Sequence, residues 1–167
     1  MSLFGGFLIR LDLPGKALDL SPYPERGAAQ TAGFETAVLR EDMLYLRGGM
    51  NDALEGYILL DTGASYSAIS RRTALALRRS LVSAAGLRGP NGPVSGGFID
   101  GGIRFRVAGA SLTAEPVVAL DLAAFSAFNG VETAGVLGYP TLRYSVLTVD
   151  YRDALVRIDS EAGHRLR

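Results

Sequence analysis

The run Ile58-Leu59-Leu60-Asp61-Thr62-Gly63-Ala64-Ser65 constrains this chain more than any other segment. An apolar strand delivers a carboxylate into a tight turn of small residues. Burying a carboxylate is costly unless its charge is shared, paired or hydrogen-bonded, so an Asp at the end of such a strand has chemistry to do. The Asp-Thr-Gly triplet occurs once. One carboxylate is half of an acid–base pair.

The remaining sequence frames that turn as part of an all-β domain. Twenty-one glycines spread over 167 residues imply many turns between short strands. The length fits one domain with a proper core. Seventeen basic and seventeen acidic residues balance, so charge does not point to nucleic acid or to an anionic membrane. No apolar run approaches bilayer-spanning length. Residues 1–13 lack the basic start and small-residue cleavage site of a signal peptide. With no cysteine there is no disulfide, thiolate nucleophile or cysteine metal site. The compartment is left open, a fragment of a larger, exported bacterial protein being one reading.

Strands are expected at residues 7–13, 18–20, 34–39, 43–46, 56–60 and 66–69. Gly48-Gly49 and Asn51-Asp52 mark the turn before residue 56. Ser70 reads as an N-cap for a helix over 71–81, with Ala74, Leu77 and Leu81 on one face. Asn91-Gly92 signals a two-residue hairpin, since both tolerate positive φ. Further strands fall at 103–107, 112–113 and 116–120, a short helix at 122–128 and a helical turn at 140–143. Residues 146–150 and 155–158 close the domain as a hairpin. The organisation is then an N-terminal hairpin and linker (1–33), the main domain (34–160) and a tail (161–167).

Residues 4–20 align without gaps on 142–158, with matching apolar positions and an Asp, Asp12 or Asp150, after each strand. Either any two amphipathic hairpins look alike, or residues 1–20 are the closing hairpin of a preceding, related lobe.

Peptide hydrolysis without metal or side-chain nucleophile needs an activated water. Two carboxylates sharing one proton serve as base and acid together. Asp61 can supply one; the Thr62 hydroxyl can brace the turn; Gly63 admits close approach. Ala64 and Ser65 leave room for a partner turn.

Leu60-Asp61-Thr62-Gly63-Ala64-Ser65, the glycine-rich stretch after it, and Gly135-Val136-Leu137-Gly138 resemble the retropepsin-like aspartic proteases, in the family's order. The Tyr139-Pro140-Thr141-Leu142 continuation is more similar to bacterial single-lobe members. The resemblance spans residues 34–160 and implies a closed, acid-protease β-barrel lobe with one or two short helices. It implies an aspartic endopeptidase with catalytic Asp61, and Thr62 bonding across a dimer axis. Ala64 and Ser65 would belong to the cleft turn, with Val136, Leu137 and Gly138 packed against it. The hairpin 86–98, tipped by Gly89, Pro90, Asn91 and Gly92, would be the flap. Its Pro-Asn-Gly-Pro tip departs from the family pattern. The implied partners are a peptide or protein substrate and a second copy of the chain, or a preceding related lobe. No cofactor or metal is implied. The alternative is a non-catalytic peptide-binding or dimerisation module on the same fold.

Competing readings are weaker. Strand-Asp-x-Gly-x-Ser also opens phosphate loops of actin-like kinases, but that fold needs a second loop and far more chain. The lone His164 makes a zinc site or a Ser-His-Asp triad at Ser65, Ser67 or Ser95 implausible. Asp100 reads as a hairpin-turn residue and Asp150 as a surface or turn residue.

Overall fold

The computed structural model describes residues 5–25, 32–83, 88–89, 92–93 and 95–160. A first hairpin pairs β1 (Leu8–Asp12) with β2 (Ala17–Ser21). Then come β3 (Glu35–Thr36), β4 (Val38–Arg40), β5 (Met43–Met50) and β6 (Leu54–Asp61). β7 (Ser67–Ser70) runs directly into α1 (Arg71–Ala76). β8 (Leu81–Ser83), β9 (Arg88–Gly89), β10 (Gly92–Pro93) and β11 (Gly96–Ile99) follow. β12 (Ile103–Val107), β13 (Ala110–Ala114) and β14 (Val117–Leu120) precede α2 (Ala123–Asn129). β15 (Thr133–Gly138), α3 (Tyr139–Leu142), β16 (Ser145–Asp150) and β17 (Leu155–Ser160) complete the described chain.

Among the described residues the domain is all-β with three short helices. A ten-stranded sheet runs β13-β12-β5-β6-β15-β7-β14-β11-β8, with β4 added on β5. Among the described residues this ladder is an open path rather than the closed ring expected, because β13 packs on α3 and β17 instead of pairing with β8. A second sheet runs β2-β1-β16-β17-β3.

Neighbouring residues on the central strands divide between two apolar clusters. Ile58, Ile69 and Leu137 join the larger cluster; Leu59, Ala68 and Val136 join the other. Alternate side chains point to opposite faces, so β6, β7 and β15 are buried on both. That explains the unbroken Ile58-Leu59-Leu60 run.

Two expectations are corrected. Gly48-Gly49 lies inside β5, not in a turn; the turn begins at Asn51. A Cβ at Gly48 would strike the Val107 side chain and lie 2.5 Å from the Arg106 carbonyl oxygen, so glycine here admits the crossing of β12. The helix expected over 71–81 ends at Ala76. Ser70 does cap it, accepting the Thr73 N–H at 3.0 Å. Only Thr73 and Ala74 are buried in α1, Arg78 turns to φ 53°, and Leu81 pairs with Ile99. Strand pairing outweighs a weak helical preference.

Tyr45 is wholly buried, and burial raises its hydroxyl pKa above the ordinary 10. The stability this gives is present below the unfolded value and is lost as pH rises through the higher folded one. Tyr45→Phe is therefore expected to reduce the alkaline fall in urea midpoint, measured on either side of that range.

Candidate active site

Asp61 is the last residue of β6, a strand held between β5 and β15: Leu60 pairs with Leu44, and Asp61 itself with Gly138. The chain then folds back tightly. Asp61 Oδ1 accepts the Gly63 N–H at 2.9 Å, and the Ala64 N–H donates to the Asp61 carbonyl at 3.2 Å. The side-chain bond is the Asx turn that makes Asp suited to this position. Asp61 and Ala64 are half-buried; Thr62, Gly63, Ser65 and Tyr66 are exposed. The five motif residues thus share one turn with an open face.

β15 threads between the two arms of this turn, parallel to β6 and antiparallel to β7. This brings Val136, Leu137 and Gly138 beside residues 59–69. Val136 packs in the same cluster as Ala64, while Leu137 is fully buried in the larger core. Gly138 sits where no side chain fits: a Cβ would collide with the Tyr66 carbonyl oxygen and lie 2.6 Å from its carbon and 3.0 Å from the Ala64 oxygen. The next residue locks the same place, Tyr139 N–H donating to the Ala64 carbonyl at 3.0 Å.

Sequence reasoning missed two residues here. Ser67, 1 % exposed, accepts the Gly138 N–H at 3.0 Å, and its oxygen lies 2.7 Å from the Thr141 hydroxyl. The signal was a polar residue opening an apolar strand, Ser67-Ala68-Ile69; it was weighed only as a nucleophile. Ser67→Ala would strand a buried N–H and a buried hydroxyl. It is expected to cost about 1–3 kcal/mol, read by urea denaturation.

Of the residues expected to form the flap tip, Gly89 pairs with Gly92, while Pro90 and Asn91 lie outside the described residues. The base of the hairpin is tied to the Asp61 segment by Phe98 and Ser95. The Phe98 ring meets Tyr66 edge-on at 5.5 Å, and Arg71 donates to Ser95 Oγ at 3.0 Å.

Asp150, expected as a surface or turn residue, is the turn residue: 5 % exposed at the end of β16, it accepts the Asp153 N–H at 3.0 Å and an Arg152 guanidinium bond at 3.1 Å. Asp100 does not open a hairpin, because β11 pairs with β14 and β8 rather than β12. Two concave surfaces, one edged by Glu35, Arg47 and Arg106 and one by Tyr57, Arg72 and Glu132, contain no residue of the Asp61 turn. Among the described residues no three His, Cys, Asp or Glu side chains gather to hold a metal ion, and no helix is long and apolar enough to cross a membrane.

A family model described as aspartyl protease matches residues 46–141, which include both the Asp61 turn and Gly138. No curated protein matches. Among solved structures, the chain is similar to a retropepsin-like aspartic protease from Rickettsia conorii, at 16% identity and TM-score 0.46 over 75% of this chain and 92% of that one. It is also similar to EIAV protease complexed with the inhibitor HBY-793, at 20% identity and TM-score 0.44, covering 60% and 85% of the two chains. A third is the retroviral protease-like domain of Ddi1 from Leishmania major, at 16% identity and TM-score 0.38, covering 74% and 98%.

Proposed function

We propose, on the premise that the chain belongs to the aspartyl protease family, that it is an endopeptidase in which Asp61 and a second carboxylate together activate one water. The observation that carries this reading is the setting of Asp61. It stands at the end of a central strand, one oxygen held by the Gly63 N–H at 2.9 Å, on a turn whose face is open.

Two carboxylates a few ångströms apart cannot both ionise, so the pair holds one proton. The ionised member takes a proton from water as the water oxygen attacks the peptide carbonyl carbon. The protonated member gives its proton to the carbonyl oxygen, forming a tetrahedral diol. Collapse of the diol breaks the C–N bond; the amine leaves with a proton and the pair returns to its starting state.

The residues around Asp61 take supporting roles in this reading. Gly63 admits water and substrate backbone, and Ala64 and Ser65 line the turn. Thr62 lies where a second lobe would meet this one. Val136, Leu137 and Gly138 brace the turn from behind. The hairpin over 86–98 is the flap, and an extended peptide pairs its main chain with strand edges. The chain holds a single Asp-Thr-Gly, so the second carboxylate comes from a second lobe, in a dimeric arrangement.

A transition-state mimic tests this. In the assembled, two-carboxylate form, a peptide with a hydroxyl-bearing tetrahedral carbon at the scissile position is expected to bind at least about 10²-fold tighter than the unmodified peptide. Equal affinities by titration calorimetry would instead mark a non-catalytic peptide-binding module.

A further inference from the structure

The first hairpin repeats the closing one in its geometry. Under the gapless alignment, Asp12 corresponds to Asp150 and Lys16 to Ala154. Asp12 Oδ1 accepts the N–H of Gly15 at 2.8 Å, and Asp150 Oδ1 accepts that of Asp153 at 3.0 Å. Lys16 and Ala154 then both turn left-handed, each at φ 52°. The strands re-pair at equivalent places, Asp12 with Ala17 and Asp150 with Leu155.

The two hairpins also pair with each other reciprocally. Leu8 pairs with Asp150, the equivalent of Asp12, and Asp12 pairs with Val146, the equivalent of Leu8. At the centre Arg10 pairs with Thr148, its own equivalent. Antiparallel pairing of equivalent strands is reciprocal in any register; the register here also sets the equivalent residues Arg10 and Thr148 directly opposite, so that equivalent side chains share one face. Equivalent residues directly opposite at the centre, with equivalent side chains on one face, are what a twofold axis normal to the sheet produces. The strands β2-β1-β16-β17 therefore carry a local twofold through the Arg10–Thr148 pair.

Burial departs from that symmetry most at the apolar residues of the two outer strands. Because cross-strand partners share a face, Ile9, Leu11, Leu18 and Leu20 lie on the same side of the sheet as Leu147, Val149, Val156 and Ile158. This lobe's core covers Val156 and Ile158, at 0% and 4% exposed. Their equivalents Leu18 and Leu20 are 51% and 42% exposed. The apolar face is built for two lobes and carries one.

We propose that β1 and β2 are the closing hairpin of a second lobe of this same fold, which precedes them in the polypeptide and seats its core on Leu18 and Leu20. The seating rests on the sheet alone. Its consequence, that this lobe supplies the carboxylate opposite Asp61, rests on the protease reading above. The Asp61 turn is coupled to the twofold sheet by the Tyr139–Ala64 bond, since α3 leads from Tyr139 almost directly into β16. A twofold homodimer through this sheet would need a second copy's β16 where β1 already pairs over five residues.

The test adds the lobe to the whole chain. A copy of residues 34–141 is placed directly ahead of Phe4, the equivalent of Leu142, and compared with the 167-residue chain. The unextended chain is expected to be a monomer without peptidase activity. In the extended chain, hydrogen exchange at Ala17–Ser21 is expected to slow at least about tenfold, and peptide hydrolysis to appear. A folded extended chain in which Ala17–Ser21 exchange at the original rate overturns the proposal. So does an unextended chain that forms an active, Asp61-dependent symmetric dimer, which would leave the protease reading standing. Protection without hydrolysis keeps the second lobe and overturns the protease reading. A separate variant covers failure of the extension to fold. Leu18→Ser with Leu20→Ser in the 167-residue chain is expected to leave the urea midpoint unchanged. A marked loss would show that these residues serve the present lobe alone, and would overturn the proposal.

Discussion

Asp61→Asn, made in the two-lobed chain, is expected to lower the rate of peptide hydrolysis by at least about 10²–10⁴-fold, the range that a positioned acid or base contributes. The substitution is nearly isosteric. The Asn side-chain oxygen can still accept the Gly63 N–H that Asp61 Oδ1 holds at 2.9 Å, so the turn survives. What disappears is the ability to take a proton from water or to share one with a second carboxylate. Stability should stay within about 0.5 kcal/mol, because the site is half-buried and its backbone bonds remain. Initial rates on a quenched-fluorescence peptide and a melting curve on the same samples make the check. A variant that melts normally and still cleaves within a few-fold of the parent would remove Asp61 from the mechanism. The same change in the copied lobe should be equally damaging, since the pair works as one unit.

The largest expected effect on stability comes from one methyl group at Gly138. In Gly138→Ala the added carbon meets the Tyr66 carbonyl group and, at 3.0 Å, the Ala64 oxygen. These are backbone atoms of the candidate catalytic turn, so no flexible side chain can give way. Relief requires β15 to draw back from β7, which loosens the Gly138–Ser67 bond at 3.0 Å and the Tyr139–Ala64 bond at 3.0 Å. Overpacking of this kind costs about 3 kcal/mol. For a chain of this size that lowers the midpoint of thermal unfolding by about 6–12 °C. Urea and thermal unfolding measure it directly. In the two-lobed chain, the fraction that still folds should also lose activity, because the Asp61 turn is displaced. An unchanged melting point would mean that β15 does not press on the turn as described.

Much of this architecture is legible from short stretches of sequence. The closing hairpin at 146–158 and the strands at 103–107 and 116–120 declare themselves by alternation and flanking turn residues, and the structure has strands there. Ser70 announces α1 because an N-cap needs only a hydroxyl three residues before a free N–H. Where the reading failed, a distant strand had intervened. α1 stops early because Leu81 is drawn into pairing with Ile99. Gly48-Gly49 looks like a turn, yet it serves the passage of β12.

By itself, then, the sequence determined the family and the local chemistry: an apolar strand ending in Asp61, a small-residue turn after it, and two hairpins of one pattern. Those are properties of a few consecutive residues, set by turn stereochemistry and side-chain periodicity. Only the tertiary structure decided that Gly138 lies against Tyr66 and Ala64, that Ser67 and Thr141 join beneath the turn, and that the two hairpins meet about equivalent residues. Each of these depends on which strands lie side by side. The Ser67–Gly138 bond joins positions 71 residues apart, and no local preference encodes a contact whose favourable energy exists only once the sheet has closed around it.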